Sequence, residues 1–223
     1  MTQNYEPATS YWNAQWENDD DRRSWMKEEN KVLEIGPLLA EKNIKRILDL
    51  GAGVGRHAFL FAQQGYETWA ADSSEAGLDY IRAEAEKLKI EIFTEKVDIK
   101  SLPFSSGFFG YILSWNVLYH GNLSELKQAV AEVKRVLAFD GFFQGTFISK
   151  TNSYFGKGTA LDSNTYISED ESDKSHPHCY VNERELRDLL RGFEIISLED
   201  VEHDNYEGAF HFHVFAKKSV CRK

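Results

Sequence analysis

The stretch Ile47-Leu48-Asp49-Leu50-Gly51-Ala52-Gly53-Val54-Gly55, read with the acid at Asp72, decides the fold of this chain. Ile44 to Leu50 reads as a short buried strand that stops at a glycine turn. Arg56 to Gln64 reads as a helix, with Ala58, Phe59, Phe61 and Ala62 on its apolar faces and Gly65 as its stop. Glycines permit positive φ and let backbone approach a ligand closely. Glu67 to Ala71 is a second strand, and it ends at Asp72, where a carboxylate can accept hydrogen bonds from both hydroxyls of a ribose. A glycine loop alone would predict only a tight turn. Strand, loop, helix, strand and acid in this order predict a nucleoside site.

The spacing narrows the nucleoside. The dinucleotide fingerprint places its third glycine three positions after its second. Here Arg56 holds that place, and the pattern is G-x-G-x-G. Asp49 ends the strand with a carboxylate that would repel a pyrophosphate. S-adenosylmethionine has no phosphate and carries a sulfonium and an ammonium, so a nearby acid suits it.

Outward from this centre, strands and helices alternate. Ser73 or Ser74 caps a helix running to Leu88. Ile90 to Val97 is a third strand, Pro103 to Gly107 a turn, and Phe108 to Trp115 a fourth strand, apolar enough for burial on both faces. Asn122 with Glu125 opens a helix whose face is Leu123, Leu126, Val130, Val133 and Leu137. Asp140-Gly141 is a turn before a fifth strand, Gly141 to Ile148. Ser149 to Tyr180 is polar and aperiodic, which predicts a functional lid over the site or a disordered segment. Asn182 and Glu185 cap a helix through Leu190. Glu194 to Leu198 and Phe210 to Lys217 form the last two strands, joined by a hairpin connection. The fold class is therefore α/β and Rossmann-like: a seven-stranded, mostly parallel sheet with one antiparallel strand and helices on both faces. The expected layout is one domain over residues 1–223, with an N-terminal helical cap (1–40), a cofactor-binding core (41–148), a substrate-side loop (149–180) and a C-terminal helix with strands (181–223).

Composition excludes several partners. Lys and Arg number 26 against 36 Asp and Glu, giving a net charge of −10. Nucleic-acid affinity depends on neutralising phosphates, and anionic membrane surfaces repel the same charge, so neither is an expected partner. No stretch is apolar enough to span a bilayer, and residues 1–20 lack the basic start and apolar run of a signal peptide. Cys179 and Cys221 lie far apart and give neither a disulfide framework nor a zinc-ribbon spacing; both are expected as thiols in a cytoplasmic protein. A monomer or homodimer is expected.

The segment Ile47 to Asp72 resembles the first motif of class I S-adenosylmethionine-dependent methyltransferases. Val97-Asp98-Ile99 with Leu102-Pro103-Phe104, Phe108 to Trp115, and Arg135 to Phe143 resemble the motifs that follow. Phe139-Asp140-Gly141 departs from the usual L-x-P-G-G at its structural proline. The resemblance covers about residues 40 to 150 and is nearest to small bacterial methyltransferase-domain proteins, tellurite-resistance-like ones included. It implies the strand order 3-2-1-4-5-7-6. It implies that Asp49 and the backbone of Gly51, Ala52, Gly53 and Gly55 hold the amino-acid end of the cofactor. Asp72, with Ser73 beside it, would take the ribose, Asp98 the adenine amino group, and Ile99 the ring face. Ser114 and Trp115 would face the sulfonium.

The methyl acceptor is expected to be a small molecule. Tyr11, Trp12 and Trp16 precede the fold proper and are candidates to line its pocket, as is His178; plain helix packing is the competing role for the three aromatics. Tyr119 and His120 follow the fourth strand and are the candidate catalytic pair, able to orient an acceptor or take its proton. His176, His178 and Cys179, with His211 and His213, could suggest a metal site. Adjacent His178 and Cys179 point apart in an extended chain, so no metal is expected. Two other functions compete: a nicotinamide-dependent oxidoreductase on a related fold, and a non-catalytic cofactor-binding protein.

Overall fold

The computed structural model describes residues 8–168, 175–203 and 207–219. Four short helices lead: α1 (Ala8–Glu17), α2 (Asp19–Ser24), α3 (Asn30–Leu33) and α4 (Gly36–Glu41). Then strands and helices alternate as β1 (Arg46–Leu50), α5 (Arg56–Gln63), β2 (Glu67–Asp72), α6 (Glu75–Leu88), β3 (Phe93–Lys96), β4 (Phe109–Ser114), α7 (Leu123–Val136) and β5 (Leu137–Ile148). Three very short strands follow, β6 (Thr159–Ala160), β7 (Thr165–Ile167) and β8 (His178–Cys179). The described chain closes with α8 (Glu183–Leu189), β9 (Phe193–Glu202) and β10 (Phe210–Lys218).

The main sheet runs β3-β2-β1-β4-β5-β10-β9, the order the resemblance implies. Only β10 is antiparallel, to β5 on one side and β9 on the other. The central strands are apolar on both faces because helices cover both: Ile47, Leu48, Leu50, Tyr111, Ile112 and Leu113 are fully buried. Two of the core clusters lie on opposite faces of β1 and β4, one under α7 around Leu48, Ile112 and Val133, the other under α4 around Leu39, Ile47 and Tyr111. The Tyr111 hydroxyl reaches Gln144 Oε1 at 2.6 Å, which satisfies a polar pair inside the second cluster.

Three expectations change. The third strand starts at Phe93, not Ile90. Lys89 ends α6 in the left-handed region, and Ile90 donates its N–H to Ala85 at 3.1 Å, so the helix end uses backbone that the sheet would otherwise take. The fifth strand starts at Leu137, straight out of α7. Asp140, at φ 61, is an irregularity within it and not a turn before it. Gly141 is obligatory there, since a Cβ would lie 2.9 Å from both the Ala138 and Gly110 carbonyl oxygens. The third change falls in Ser149 to Tyr180. This segment is not an aperiodic lid throughout; β6, β7 and β8 form a small antiparallel sheet. Asn164 locks it to the main fold by a backbone and a side-chain bond with Tyr180, at 2.8 and 2.9 Å. The acidic run from Glu169 to Asp173, and Cys221, lie outside the described residues. No helix among the described residues is long and apolar enough to cross a membrane.

The capping pair at α7 is complete: Asn122 accepts from the Glu125 N–H at 3.0 Å, and Glu125 accepts from the Asn122 N–H at 2.9 Å. Asn122→Ala should therefore lower stability by about 1 kcal/mol, read as a lower urea midpoint at unchanged slope. A midpoint equal to that of the unmodified protein would show the cap to be dispensable.

Candidate functional site

The carboxyl ends of β1, β2 and β4 open on a cavity of about 540 Å³, the position where open α/β sheets bind ligands. Gly51, Gly53 and Gly55 all have positive φ (77°, 55° and 83°), so the loop curls without strain only with glycine at these places. The Gly51 and Ala52 N–H groups both point to the Ala71 carbonyl, at 2.7 and 3.1 Å. Asp72 fixes the next residue: its Oδ2 accepts from the Gly53 N–H at 2.8 Å, and its Oδ1 from the Ser74 N–H at 2.8 Å. Where side chains would project from two of these glycines, the space is filled. A Cβ on Gly51 would fall 2.2 Å from Val117, and one on Gly53 would touch the Trp16 ring at 3.0 Å.

The N-terminal helices lie over this loop. Asn13 Oδ1 accepts from the Ser74 hydroxyl at 2.9 Å and the Ala76 N–H at 3.2 Å, which docks α1 on the start of α6. Thr9 donates to the Ser73 hydroxyl at 3.1 Å. Trp12 stacks on Trp16 at 5.2 Å, and Trp25 meets both edge-on. Arg56 lies over the Trp25 ring at 5.5 Å and pairs with Glu29 at 3.1 Å. The neighbouring His57 is buried, with its pKa pushed down to about 2 by burial and by Arg56; neutral, it accepts the Glu29 N–H at 3.2 Å.

Two buried carboxyl groups dominate the electrostatics. Burial pushes Asp49 up to about 7, against the Arg56 charge and the Ala58 N–H, with Asp72 adding to the rise. Asp49 Oδ2 is buried with no hydrogen-bond partner in the protein. Burial also raises Asp72, opposed by the N–H groups of Ser74, Gly53 and Ser73. An unpartnered acidic oxygen is costly unless a ligand satisfies it, and a cationic donor would.

Of the sequence candidates, Asp49, Gly51, Ala52, Gly53, Asp72, Ser73, Asp98, Ile99, Trp115, Trp12, Trp16 and His120 all line the cavity. Ser114 does not. It is fully buried and donates to the Leu50 carbonyl at 3.0 Å, tying β4 to β1. Gly55 also sits off the cavity, as the left-handed residue that starts α5. Tyr11, Tyr119 and His178 stand behind the wall. Tyr11 packs on Trp12 and His176, and Tyr119 packs on His120, His178 and His211. Sequence reasoning missed Trp25, Asn116, Val117, Lys100 and Glu125. Only Asn116 carried a signal, as the residue after the fourth strand: it sits at φ 61, held by Thr146, whose hydroxyl accepts its N–H at 2.7 Å and donates to its Oδ1 at 3.0 Å.

Sheet order, glycine loop and paired acids together define the class I methyltransferase architecture. Residues 47–141 match the family model described as a methyltransferase domain. Demethylmenaquinone methyltransferase of Thermus thermophilus is 33% identical over 106 residues, covering 47% of this chain and 47% of that protein. Malonyl-[acyl-carrier protein] O-methyltransferase of Geobacter sulfurreducens is 29% identical over 166 residues, covering 71% of this chain and 60% of that one. The chain thus spans less than two thirds of the length of these curated relatives. The fold is shared with 1,6-didemethyltoxoflavin-N1-methyltransferase of Burkholderia thailandensis, a structure with 1,6-didemethyltoxoflavin and S-adenosylhomocysteine bound, at 20% identity and a TM-score of 0.70 over 99% of this chain and 93% of that one.

Gly77 offers a test of the loop's confinement. In an open helix interior, alanine would be favoured over glycine by about 1 kcal/mol. Here a Cβ would lie 2.5 Å from the Gly53 carbonyl oxygen and 3.2 Å from the Trp16 ring. Gly77→Ala should therefore lower the melting temperature despite its better helix propensity. A rise would show that the loop has room to move.

Proposed function

We propose that this chain binds S-adenosylmethionine and transfers its methyl group to a small-molecule acceptor. The observation that carries the reading is the Asp49 carboxyl group, buried at the end of β1 with an unpartnered oxygen beside a glycine loop. A phosphate ligand would meet repulsion there; an ammonium would find its counter-charge. When bound, S-adenosylmethionine supplies a sulfonium-activated methyl carbon, and a nucleophile displaces it in line as S-adenosylhomocysteine leaves.

The chain's own residues divide that work by position. Asp49 and the N–H groups of the loop hold the amino-acid end. Asp72 keeps one hydrogen bond per oxygen for its own backbone, and each oxygen has a second lone pair for a ribose hydroxyl. Ser73 lies beside it. Asp98 stands at the adenine end of the cavity, with Ile99 as the ring's apolar floor. Trp12, Trp16 and Trp25 roof the loop and exclude water, which strengthens the attraction of the acids for a cation. On the acceptor side stand Trp115, Asn116 and His120. His120 donates from Nε2 to the Asn116 carbonyl at 2.9 Å, and its Nδ1 lies 2.8 Å from His176 Nε2, so the ring is held from both nitrogens and presents a fixed wall that can steer an acceptor. Tyr119 sets the His120 ring from behind. Positioning and water exclusion suffice for so activated a methyl group. The acidic balance of the chain, net −10, supports a small acceptor over a nucleic acid.

Calorimetry with S-adenosylmethionine and with NAD tests the donor. Binding of the former alone, and release of S-adenosylhomocysteine with a small-molecule acceptor panel, is expected; binding of NAD alone would overturn the reading. The Asp49 pKa near 7 adds a pH dependence. Below it the carboxyl is mostly neutral, and above it the carboxylate attracts the ammonium. Affinity for S-adenosylhomocysteine should thus rise with pH by up to about tenfold per unit below pH 7, then level off. Asp49→Asn should bind weakly and without that slope; a slope that persists in the variant assigns it to another group.

A further inference from the structure

One cluster beside the cavity is unused by methyl-donor binding. Among the described residues, His120, His176 and His178 each offer a ring nitrogen within 4.8 Å of the other two. We propose that these three histidines bind a divalent transition-metal ion of the zinc type on the acceptor-side wall of the cavity.

Hydrogen bonds to carbonyls fix the ligand nitrogen in two of the three rings. A carbonyl oxygen can only accept. His120 Nε2 faces the Asn116 carbonyl at 2.9 Å, so Nε2 carries the proton and Nδ1 the lone pair. His178 Nδ1 faces the His176 carbonyl at 2.8 Å, so its lone pair is on Nε2. This is the arrangement of metal-ligating histidines, in which the second ring N–H donates to a carbonyl and locks tautomer and orientation. His176 Nε2 lies 2.8 Å from His120 Nδ1. Two imidazoles on one tetrahedral zinc have nitrogens about 3.3 Å apart, from Zn–N bonds of about 2.0–2.1 Å. A small ring rotation converts one arrangement into the other.

The backbone holds the cluster rigidly. His120 and His178 face each other in an antiparallel bridge, and the Cys179 N–H donates to the Tyr119 carbonyl at 2.9 Å. His176 and His178 are fully buried, while His120 lines the cavity with Pro177. Cys179 is not part of the set: burial pushes its thiol up to about 12, and it belongs to the apolar core. His211 and His213 also stand apart, packed on Tyr119 and Trp115 respectively. Three neutral imidazoles leave the ion its full double charge, in the manner of catalytic zinc sites with three protein ligands. Such an ion suits an acceptor that binds through an anionic oxygen or sulfur. That role rests on the acceptor reading above; the metal site does not.

The competing account is a chain of imidazole hydrogen bonds with no ion, and metal binding separates the two. The full chain, free of any affinity tag and stripped by chelator, is titrated with Co²⁺. One equivalent should bind with visible absorption of a tetrahedral or five-coordinate ion, and Zn²⁺ should displace it. His120→Ala and His178→Gln should each weaken binding by at least about 100-fold, the upper end of what losing a mere supporting partner costs. His203→Ala should leave it intact. Stoichiometric binding that is lost in both cluster variants supports the site even if metal leaves turnover unchanged, a result that would count only against the acceptor role. Failure of the folded unmodified protein to bind Co²⁺ overturns the proposal. So does binding that survives in either cluster variant.

Discussion

The bonds from the Asp72 carboxylate to the N–H groups of Gly53 and Ser74 join the parts on which the site depends. One side chain at the end of β2 fixes the middle of the loop after β1 and caps the approach to α6. Parallel pairing of β1 with β2, Leu50 opposite Ala71, brings these ends level. Gly53 then becomes the point where three elements meet: its carbonyl presses on Gly77 of α6, its Cα faces Trp16 of α1, and its N–H rests on Asp72. A larger residue at Gly53 or Gly77 would have to move a helix or the loop. The glycines are thus demanded by packing as much as by φ.

The same geometry sets the charge of the site. Asp49 and Asp72 are both almost fully buried. Each prefers neutrality in that setting, and the fold counters with different means. Asp72 receives backbone N–H groups, whereas Asp49 has Arg56 nearby and one oxygen left unsatisfied. Arg56 is itself engaged by Glu29, the Trp25 ring and the Lys27 carbonyl, so its charge is shared with the N-terminal helices. The pocket therefore retains an unsatisfied acidic oxygen at one end, at the Asp49 that the sequence places at the close of the first strand.

Legibility in the sequence follows the range of the interactions. The loop, its two acids, the alternation around them and the caps at Asn122 and Asn182 are local patterns, and each stands where the sequence puts it. The resemblance carried the strand order, which local pattern could not. Ser114 was misplaced because a residue at a strand end points either into the cleft or across to its neighbour, and only pairing with β1 shows which. Trp25 was invisible because it follows a charged run, Asp19 to Arg23, and reaches the roof only after α2 turns the chain. Strands of two or three residues, such as β6 to β8, are too short to show a period of two.

The histidine wall of the cavity is hidden for a further reason: it is assembled from three distant parts of the chain. Tyr11 and Trp12 come from α1, His120 from the segment after β4, His176 from the approach to β8 and His178 from β8 itself. The bridge between His120 and His178 spans 58 positions and leaves no periodic trace. Sequence grouped the histidines by proximity along the chain, joining His178 to Cys179 and to the pair on β10. The fold regroups them by pairing, sending Cys179 into the core and His178 toward His120. The glycine loop and its acids are close in sequence, whereas the histidine wall of the cavity is tertiary from the outset. The constraint that fixes the first half of the site is accordingly Asp72, and the one that fixes the second half is the backbone bridge beneath the three histidines.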